Sequence, residues 1–585
     1  MPGPVAPGGL AQLYAQGAVL FQQGNFRDAA AVFARLLQQA PGSAPANNGL
    51  GLCLHAAGQT QAALERFEAA IRGDHLFAPA HINRGMALRD LGRLDEALLS
   101  FEKAVAIDPS DPTAHGNRGM LLTELGQPAA ANACFDRCLA IAPDYPDASG
   151  MRLLNKAYMC DWTDLERETG DLLGRLARGE RAAPPWAILA FTDSLDLKHK
   201  VAALWGRGRY AENPALDPLK PYAGHDRIRL GYYSADFHRH ATTHLIAELF
   251  ERHDRARFEV TAFSFGPATG DEMQKRIAAG CEHFVDVRAR GDRDVAELSR
   301  EMEIDIAVDL KGLTQQNRIG IFAHRAAPVQ VSYLGFPGTL GVPYMDYLIA
   351  DDVVIPETAK AFYSEKIVSL PGSYQVNDRK RAVSERAFTR GQAGLPETGF
   401  VFCCFNNSFK IMPGMFAVWV RILNTVPGSV LWLIEDSPVA AANLRRHASA
   451  LGIDPARLVF APRVPSDEHL ARHKLADLFL DTLPYNAHTT ASDSLWVGVP
   501  LVTCPGESFP ARVAASLLTA VGLPELIAPT MKDYETLAVA LARDTARLRA
   551  LKDKLSGARA TALFDTGTFA RNIEAAYTAM MGSRK

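Results

Sequence analysis

One loop in the C-terminal half of the sequence combines the residue types that bind a diphosphate. Residues 478–498, LFLDTLPYNAHTTASDSLWVG, predict an apolar strand, a loop rich in Asn, His and Thr, and a helix beginning near Thr490. The first backbone N–H groups of a helix are unpaired and lie at the positive end of its dipole, so they attract phosphate oxygens. Thr489 and Thr490 add hydroxyl donors, and His488 adds a ring N–H. The segment from Asn486 to Asp493 is therefore a candidate diphosphate site.

The same loop also fits a purely structural interpretation. Thr490 followed three residues later by Asp493 has the spacing of a capping box, with Asp in place of Glu. The two interpretations are compatible, because a capped helix still presents other N–H groups. A second motif supports the interpretation of the first as a diphosphate site.

Residues 400–411, FVFCCFNNSFKI, predict another buried strand that ends close to Asn407 and Lys410. A lysine just beyond a strand places a compact positive charge on a phosphate.

Three histidines follow a predicted strand in the middle of the chain. Residues 234–245, SADFHRHATTHL, place His238, His240 and His244 near a strand end and the start of the next helix. A histidine there is a candidate general base, although lone histidines are more often structural.

The residue patterns that usually bind metals are weak in this sequence. No zinc-type Cys and His spacing occurs, and the one Asp-x-Asp string, Asp292-Arg293-Asp294, follows a glycine and opens a predicted helix. We interpret those aspartates as helix-capping residues and expect no metal and no cofactor.

The elements that carry these motifs alternate between strand and helix. The first series of candidate strands is Ile228 to Tyr233, Phe258 to Phe265, Asp305 to Leu310, Val329 to Leu334 and Asp346 to Ile349. The second series is Phe400 to Phe405, Val430 to Ile434, Leu458 to Ala461, Leu475 to Leu480 and Leu501 to Cys504. Two such series predict two doubly wound α/β lobes, 225–385 and 386–585, joined near 377–397. Ligands bind such folds at the C-terminal ends of the strands, so the cleft between lobes is the expected site.

Residues 1–145 contain four units that repeat every 34 residues. The aligned positions are Gly17, Gly51, Gly85 and Gly119; Gly24, Gly58, Gly92 and Gly126; Ala29, Ala63, Ala97 and Ala131; and Phe33, Phe67, Phe101 and Phe135. The pattern resembles the tetratricopeptide repeat, an α-helical pair that stacks into a right-handed superhelix with a peptide-binding groove. Residues 146–224 are predicted to be a helical linker or degenerate repeats.

Two asparagines are candidate acceptor contacts in that groove. Asn83 and Asn117 precede the third and fourth aligned glycines by two residues, on the helix expected to face the groove. A side-chain amide both donates and accepts hydrogen bonds, so it suits the backbone of a bound peptide. The alternative is that any polar residue serves on a solvated helix face.

Composition narrows the class of protein. The 585 residues carry a formal net charge of -3, so no broad basic surface for nucleic acid is expected. The N-terminus lacks the pattern of a secretory signal, and no 18-residue apolar stretch occurs. We therefore expect a cytoplasmic protein with no membrane partner, and the repeats allow oligomers.

Together the motifs resemble the O-linked N-acetylglucosamine (O-GlcNAc) transferase family, in which tetratricopeptide repeats precede a two-lobed catalytic region of the glycosyltransferase B type (GT-B). The resemblance spans nearly the whole chain. It is carried, in order, by SADFHRHATTHL, APVQVSYLGFPGTLGVPYMDY, CCFNNSFK, and DTLPYNAHTTASDSLW continuing to CPGESFPARVAAS.

The resemblance implies roles for individual residues around a UDP-sugar donor. Lys410 and Asn407 match phosphate contacts, and His488, Thr489 and Thr490 match the diphosphate loop. Asp493 matches a ribose contact, and His469 and Arg472 match positions around the uracil. The sugar pocket is matched by Thr314, Leu334, Gly335 and Pro337, and His240 matches a histidine close to the reacting centre. The chain departs from the animal enzymes at Ser466, where they have a lysine near the ribose, and at Phe409, where they have a tyrosine.

The resemblance implies a metal-independent, inverting protein glycosyltransferase that moves N-acetylglucosamine from UDP-GlcNAc to Ser or Thr hydroxyls. Lys410 and the helix N-terminus would stabilise the charge on departing UDP. Several alternatives stay open: another donor such as UDP-glucose, another acceptor such as Asn or flagellin, or a repeat scaffold without catalysis. The proton acceptor could be His240, a phosphate oxygen or water.

Overall fold

The computed structural model describes residues 7–210, 216–220, 222 and 224–582. The chain forms two compact units. Among the described residues, the repeat domain contains 7–152 together with 216–217 and Asp286–Met302. The two-lobed domain contains 153–210, the described part of 218–285, and 303–582. Within the described ranges, no helix combines the length and apolar character needed to cross a membrane.

Within residues 7–141, the repeats of this domain form eight consecutive helices that pack as neighbours along the chain. They are α1 Pro7–Gln22, α2 Phe26–Gln39, α3 Ala44–Ala56, α4 Thr60–Gly73, α5 Ala78–Asp90, α6 Leu94–Ile107, α7 Pro112–Glu124 and α8 Pro128–Ile141. The predicted four helix pairs are confirmed.

The repeated glycines and phenylalanines explain how each pair packs. A Cβ atom on Gly51 would lie 2.5 Å from the Phe67 ring, and one on Gly85 would lie 2.6 Å from the Phe101 ring. Each glycine therefore leaves the space that the aromatic ring of the partner helix fills. The second repeated glycine, as at Gly92 with φ +74°, makes the left-handed turn between the helices.

In its described part, the predicted linker 146–224 is largely helical, and most of that part belongs to the two-lobed domain. Its helices are α9 Ala148–Tyr158, α10 Leu165–Ala177 and α11 Leu195–Arg209. Trp162 stacks on His447 with ring centroids 4.2 Å apart. The ring of His199 on α11 forms a 2.8 Å hydrogen bond with the Phe362 carbonyl. From Leu153 onward this segment therefore supports the two lobes and does not continue the repeats.

The first lobe contains a seven-stranded sheet with the order β3-β2-β1-β4-β5-β6-β7. The strands are β1 Ile228–Ser234, β2 Phe258–Ser264, β3 His283–Asp286, β4 Ile306–Asp309, β5 Val329–Ser332, β6 Tyr347–Ala350 and β7 Lys366–Ser369. The accompanying helices are α12 Ala241–Arg252, α13 Glu272–Ala279, α14 Asp292–Glu301 and α15 Gly320–Ala323; α14 clusters with the repeat domain. Strand β1 pairs in parallel with both β2 and β4, so the direction of winding reverses between β1 and β4.

The second lobe contains a five-stranded parallel sheet with the order β10-β9-β8-β11-β12. The strands are β8 Val401–Cys404, β9 Val430–Ile434, β10 Leu458–Ala461, β11 Leu478–Leu480 and β12 Leu501–Val502. The helices are α16 Pro413–Thr425, α17 Pro438–Ala450, α18 Ser466–His473, α19 Thr489–Trp496, α20 Val513–Val521, α21 Met531–Arg543, α22 Thr545–Ser556 and α23 Thr566–Gly582. Winding reverses between β8 and β11, so this lobe repeats the plan of the first.

All ten predicted strands are present, with shifted ends. The largest shift is at β11, which begins at Leu478 and not at Leu475, because the N–H groups of Leu475 and Ala476 bond back to α18 carbonyls. Strands β3 and β7 were missed. Both are short, and their side chains are half-buried or exposed, so neither presents the apolar run that marks a buried parallel strand.

The last helix corrects the predicted lobe boundary. The sequence assigned all of 386–585 to the second lobe, but α23 packs into the core of the first lobe through Phe569, Ile573 and Tyr577. The carboxylate of Glu574 accepts hydrogen bonds from the His253 ring at 3.0 Å and from the Asp254 N–H at 2.9 Å. The chain thus crosses back after the second lobe is complete.

Candidate active site

The switch point of the second lobe brings two predicted motifs together. Lys410 follows β8 and the loop 481–488 follows β11, and these two strands are neighbours in the sheet. The ammonium of Lys410 donates to the Asn486 carbonyl at 2.8 Å and lies 3.8 Å from the centre of the Tyr485 ring. Burial lowers the pKa of Lys410 to about 8, although the nearby Asp481 opposes that shift. A cation is therefore held at the place where a doubly wound fold binds its ligand.

A buried carboxylate shapes the loop around this cation. Asp481 accepts hydrogen bonds from the N–H groups of Thr482 at 2.8 Å and Ala487 at 2.6 Å, and from the Thr503 hydroxyl at 2.6 Å. Burial raises its pKa to about 7, against the effect of these donors and of Lys410. The Asp481 side chain thus holds the loop between Thr482 and Ala487 through hydrogen bonds, and it also interacts electrostatically with Lys410.

The N-terminus of α19 is open, and the capping-box interpretation is wrong. The helix begins at Thr489 after His488, and no side chain caps it. The Thr490 hydroxyl instead donates to Asn406 Oδ1 at 2.5 Å, and Asp493 faces Arg381. Among the described residues, the N–H groups of Thr489 and Thr490 have no hydrogen-bond partner. They are therefore available to an anion next to Lys410.

The two asparagines after β8 differ in burial and in their hydrogen-bond partners. Asn406, which is buried, bonds the Thr482 hydroxyl at 2.7 Å and so connects the two loops of the switch point. Asn407 is exposed, and its side-chain oxygen accepts a 3.3 Å hydrogen bond from Arg463. The predicted phosphate contact at Asn407 is thus accessible, while the buried neighbour holds the loops together.

The residues predicted to surround the nucleoside lie next to one another. His469 and Arg472 share α18, and Arg472 donates to His469 Nδ1 at 3.2 Å. The His469 ring packs edge-on against Phe405, with centroids 4.9 Å apart. Burial lowers the pKa of His469 to about 4, so its ring is neutral at physiological pH. Asp493, on α19, contributes electrostatically to the same histidine.

The switch point of the first lobe contains an ion pair beside a histidine. Asp236, just beyond β1, accepts hydrogen bonds from the Lys311 ammonium at 3.0 and 3.2 Å, and both side chains are buried. His240 is the N-cap residue of α12; its Nδ1 accepts from the Thr242 N–H at 3.2 Å and lies 3.5 Å from Asp236. Burial lowers the pKa of His240, with Asp236 acting in the opposite direction. A neutral ring that accepts at Nδ1 carries its proton on Nε2, so here Nε2 is a donor.

The predicted sugar-pocket residues lie after β4 and β5, which are adjacent strands. The Thr314 hydroxyl donates to the Lys311 carbonyl at 2.9 Å. Leu334 has a left-handed backbone with φ +67°, and a Cβ atom on Gly335 would lie 2.1 Å from the Leu310 carbonyl oxygen. Pro337 is buried. The close backbone approach explains why glycine is needed at position 335.

A lysine on the linker was not predicted and lies close to the diphosphate loop. Lys198 on α11 donates to the Ser508 hydroxyl at 2.6 Å, and Asp193 accepts from the N–H of Ser508 at 3.0 Å. Two residues further on, the Pro510 carbonyl forms hydrogen bonds with the Asn486 N–H at 2.9 Å and with His488 Nε2 at 3.3 Å. Nothing in the sequence spacing links these residues, because they are more than 300 positions apart.

The remaining predicted site residues lie in the repeat domain. The side-chain amide of Asn83 donates to Asn48 of the preceding repeat at 2.8 Å, and that of Asn117 donates to the Thr113 carbonyl of its own helix at 2.9 Å. Each keeps an amide oxygen for a partner. Asp292 and Asp294 lie in the first turn of α14, but the N-cap residue is Gly291 and no side chain caps the helix. The predicted capping role of the two aspartates is wrong.

Comparisons with known proteins match both parts of this architecture. A model of glycosyl transferase family 41 matches residues 214–387 and 384–573. A tetratricopeptide repeat model matches residues 14–75, 56–112 and 82–146. The solved structure of an O-GlcNAc transferase mutant from Thermobaculum terrenum superposes with a TM-score of 0.67 at 29% identity, covering 92% of this chain and 97% of that one.

Curated relatives from plants and animals are longer than this chain. The Arabidopsis thaliana protein named probable UDP-N-acetylglucosamine–peptide N-acetylglucosaminyltransferase SEC is 40% identical over 375 residues, which cover 63% of this chain and 38% of the relative. The Caenorhabditis elegans UDP-N-acetylglucosamine–peptide N-acetylglucosaminyltransferase is 29% identical over 461 residues, covering 60% of this chain and 40% of the relative. The chain thus spans about two fifths of these relatives. Because the family model covers more than half of its residues, the chain belongs to glycosyl transferase family 41.

Proposed function

We propose that the chain transfers N-acetylglucosamine from UDP-GlcNAc to Ser or Thr hydroxyls of proteins, inverting the anomeric carbon and using no metal. One observation carries the proposal: a half-buried cation, Lys410, stands beside the open N-terminus of α19 at the switch point of the second lobe. Both features favour an anion, and a diphosphate is the anionic part of a UDP-sugar. The names of the relatives support the choice of sugar and acceptor.

The leaving group is UDP, which gains negative charge as the bond to the sugar breaks. We expect Lys410 and the N–H groups of Thr489 and Thr490 to stabilise that charge more strongly in the transition state than in the bound donor. A preorganised cation and helix N-terminus supply the stabilisation that a divalent ion provides in metal-dependent sites. The metal-independent mechanism rests on this equivalence.

The acceptor hydroxyl must lose its proton as it attacks. In the observed geometry His240 carries its proton on Nε2, so Nε2 cannot take the proton of the acceptor hydroxyl. Nε2 would become a base only if the ring proton moved to Nδ1, which would then face Asp236, 3.5 Å away, and no longer accept from the Thr242 N–H. We therefore propose that His240 first positions the acceptor through Nε2–H. A phosphate oxygen of the donor or a water molecule is the alternative proton acceptor.

The acceptor protein is proposed to bind along the repeat helices. Asn83 and Asn117 each keep a side-chain oxygen for a peptide N–H. UDP-glucose is the alternative donor, because Phe409 and Ser466 occupy two donor-site positions where the animal enzymes carry other residues.

Intact-mass analysis of proteins co-expressed with the enzyme tests donor and acceptor together. We expect the mass of an N-acetylhexosamine to be added at Ser or Thr, with the reaction unaffected by a chelator. The double variant Asn83→Ala/Asn117→Ala should bind UDP normally and modify fewer proteins. A hexose added instead would replace the donor in this proposal, and activity that disappears with the chelator would refute metal independence.

The pH dependence of donor use should report Lys410. Because burial lowers its pKa to about 8, kcat/KM for UDP-GlcNAc should fall as pH rises through about 8, where the free enzyme loses the ammonium charge. Lys410→Arg keeps its charge, so its profile should lack that fall. Lys198, whose pKa is also about 8, provides the matched control: Lys198→Arg should retain it. If the fall disappears in Lys198→Arg and persists in Lys410→Arg, the titrating group is Lys198 and our assignment to Lys410 is wrong.

A further inference from the structure

Tyr485 presents the face of its aromatic ring to the ammonium of Lys410. The Lys410 Nζ atom lies 3.8 Å from the centre of that ring and donates to the backbone carbonyl of Asn486 at 2.8 Å. Both contacts come from consecutive residues of the loop between β11 and α19, whereas Lys410 itself follows β8. Tyr485 was not among the residues that the sequence predicted for the site.

Neither contact cancels the charge of the lysine. An ammonium has three N–H donors. The Asn486 carbonyl accepts one hydrogen bond, and the ring of Tyr485 attracts the cation through the negative face of its π-system. Neither partner is an anion, and among the described residues Lys410 makes no ion pair with a carboxylate. The ammonium is therefore held in place while its charge stays available to an anionic ligand.

Other aromatic rings hold Tyr485 in this orientation. Phe409 packs edge-on against it, with ring centroids 5.8 Å apart, and Tyr158 at the end of α9 packs on Phe409 at 4.9 Å. The Ser408 hydroxyl donates to the Tyr158 carbonyl at 2.7 Å, which connects α9 to the loop after β8. The Tyr485 hydroxyl itself forms no hydrogen bond within the described part of the chain. Ring packing, and not the hydroxyl, therefore fixes the side chain.

The other groups around Lys410 leave its charged form only weakly favoured. Burial lowers the pKa of Lys410 to about 8, and Asp481 at the end of β11 acts in the opposite direction. Burial also raises the pKa of Cys404 on β8 and lowers that of His488 before α19, so both are uncharged at neutral pH. A further contact that stabilises the ammonium therefore changes how much of the enzyme carries the charge.

We propose that Tyr485 is a positioning residue for the transfer reaction: the face of its ring holds the Lys410 ammonium at the diphosphate site and favours its charged form. The proposal rests on the proposed function for the identity of the ligand. A carboxylate in place of the ring would also hold the ammonium, but it would neutralise charge that the diphosphate needs. An aliphatic side chain would supply neither the attraction nor the preference for the charged form.

Calorimetry with UDP at a series of pH values tests the role of Tyr485. In the wild-type protein the affinity for UDP should fall as pH rises through about 8, because Lys410 loses its charge. In Tyr485→Leu the fall should lie about half to one and a half pH units lower, the shift expected when a cation–π contact is removed. Tyr485→Phe keeps the ring face, so its fall should stay at the wild-type pH. UDP titrates equally in every arm, so differences between variants belong to the protein.

Phe460→Leu is the matched control. It removes a ring on the edge strand β10 of the same lobe, where the Arg445 guanidinium lies 4.6 Å from the ring centre. The pH of its fall should equal that of wild type. An unshifted fall in Tyr485→Leu would overturn the proposal. So would a loss of affinity in Tyr485→Leu that is the same at every pH, because a merely structural residue weakens binding without moving the titration.

Failure of this proposal can be distinguished from failure of the proposed function. Wild-type protein that binds no UDP at any pH would overturn the donor assignment and this proposal with it. If wild-type protein binds UDP equally well across the pH range, the charge of Lys410 does not govern binding, and only the role of Tyr485 is overturned. Should Tyr485→Leu not fold, by its melting curve, Tyr485→Met also removes the ring and carries the same comparison.

Discussion

Replacing Lys410 by alanine is expected to lower kcat for sugar transfer by about 10²- to 10³-fold, the effect of removing one preorganised donor from a developing anion. The ammonium donates to the Asn486 carbonyl at 2.8 Å and stands beside the open N-terminus of α19. Its removal leaves the helix N-terminus alone to stabilise departing UDP. Steady-state kinetics with UDP-GlcNAc, alongside calorimetry with UDP, would separate the loss in kcat from the loss in donor binding.

Two further lysine variants make this result specific. Lys474→Ala removes an exposed lysine of the same lobe and should leave kcat unchanged. Lys410→Arg keeps the charge but changes its shape, so it should recover only part of the lost rate. Melting curves should show that the Lys410→Ala protein still folds, because Asp481 keeps its hydrogen bonds with the N–H groups of Thr482 and Ala487 and with the Thr503 hydroxyl. Near-normal turnover in Lys410→Ala would remove the lysine from the mechanism.

Most of the fold was accessible to sequence reasoning because it depends on local periodicity. The 34-residue repeat predicted the glycine and phenylalanine contacts that the helix pairs show, as at Gly51 and Phe67. Alternating strands and helices predicted two doubly wound lobes. The sequence did not predict packing between distant segments. Helix α23 returns to the first lobe after the second is complete, and no local sequence pattern distinguishes it from a helix that packs on the second lobe.

The same difference between local patterns and long-range packing decided which residues of the candidate site could be predicted. Residues that follow strand ends in the second lobe, such as Lys410 and His488, could be predicted because neighbouring parallel strands bring their C-terminal ends to one edge of a sheet. Lys198 and Arg381 could not, because each reaches the site from a segment with no strand end of its own. The resemblance placed Ser466 where the animal enzymes carry a lysine near the ribose; in this structure Arg381, from a different element, lies beside Asp493.

The hydrogen bonds of Glu574 predict a second large effect, on stability. Its carboxylate, 5% exposed, is the acceptor for the fully buried His253 ring and for the Asp254 N–H. Burial by itself raises the pKa of Glu574, but these hydrogen bonds outweigh burial and hold the pKa below its ordinary value. The carboxylate therefore stabilises the folded state at neutral pH, and that contribution is lost as pH falls through the folded pKa.

Glu574→Ala should lower the free energy of opening α23 by at least about 1 to 3 kcal/mol, because it leaves the buried His253 N–H unpaired, and the partly buried Asp254 N–H adds a smaller loss. Amide hydrogen exchange along α23 and β1 would measure the change, since α23 packs on the first-lobe core. The matched control is Glu535→Ala, which removes a more exposed carboxylate paired with Arg421 and should cost no more than about 1 kcal/mol. Equal protection of α23 in the two variants would mean that the C-terminal helix is held by its apolar face alone. A selective loss in Glu574→Ala would show that this hydrogen-bonded carboxylate fastens the returning chain to the first lobe.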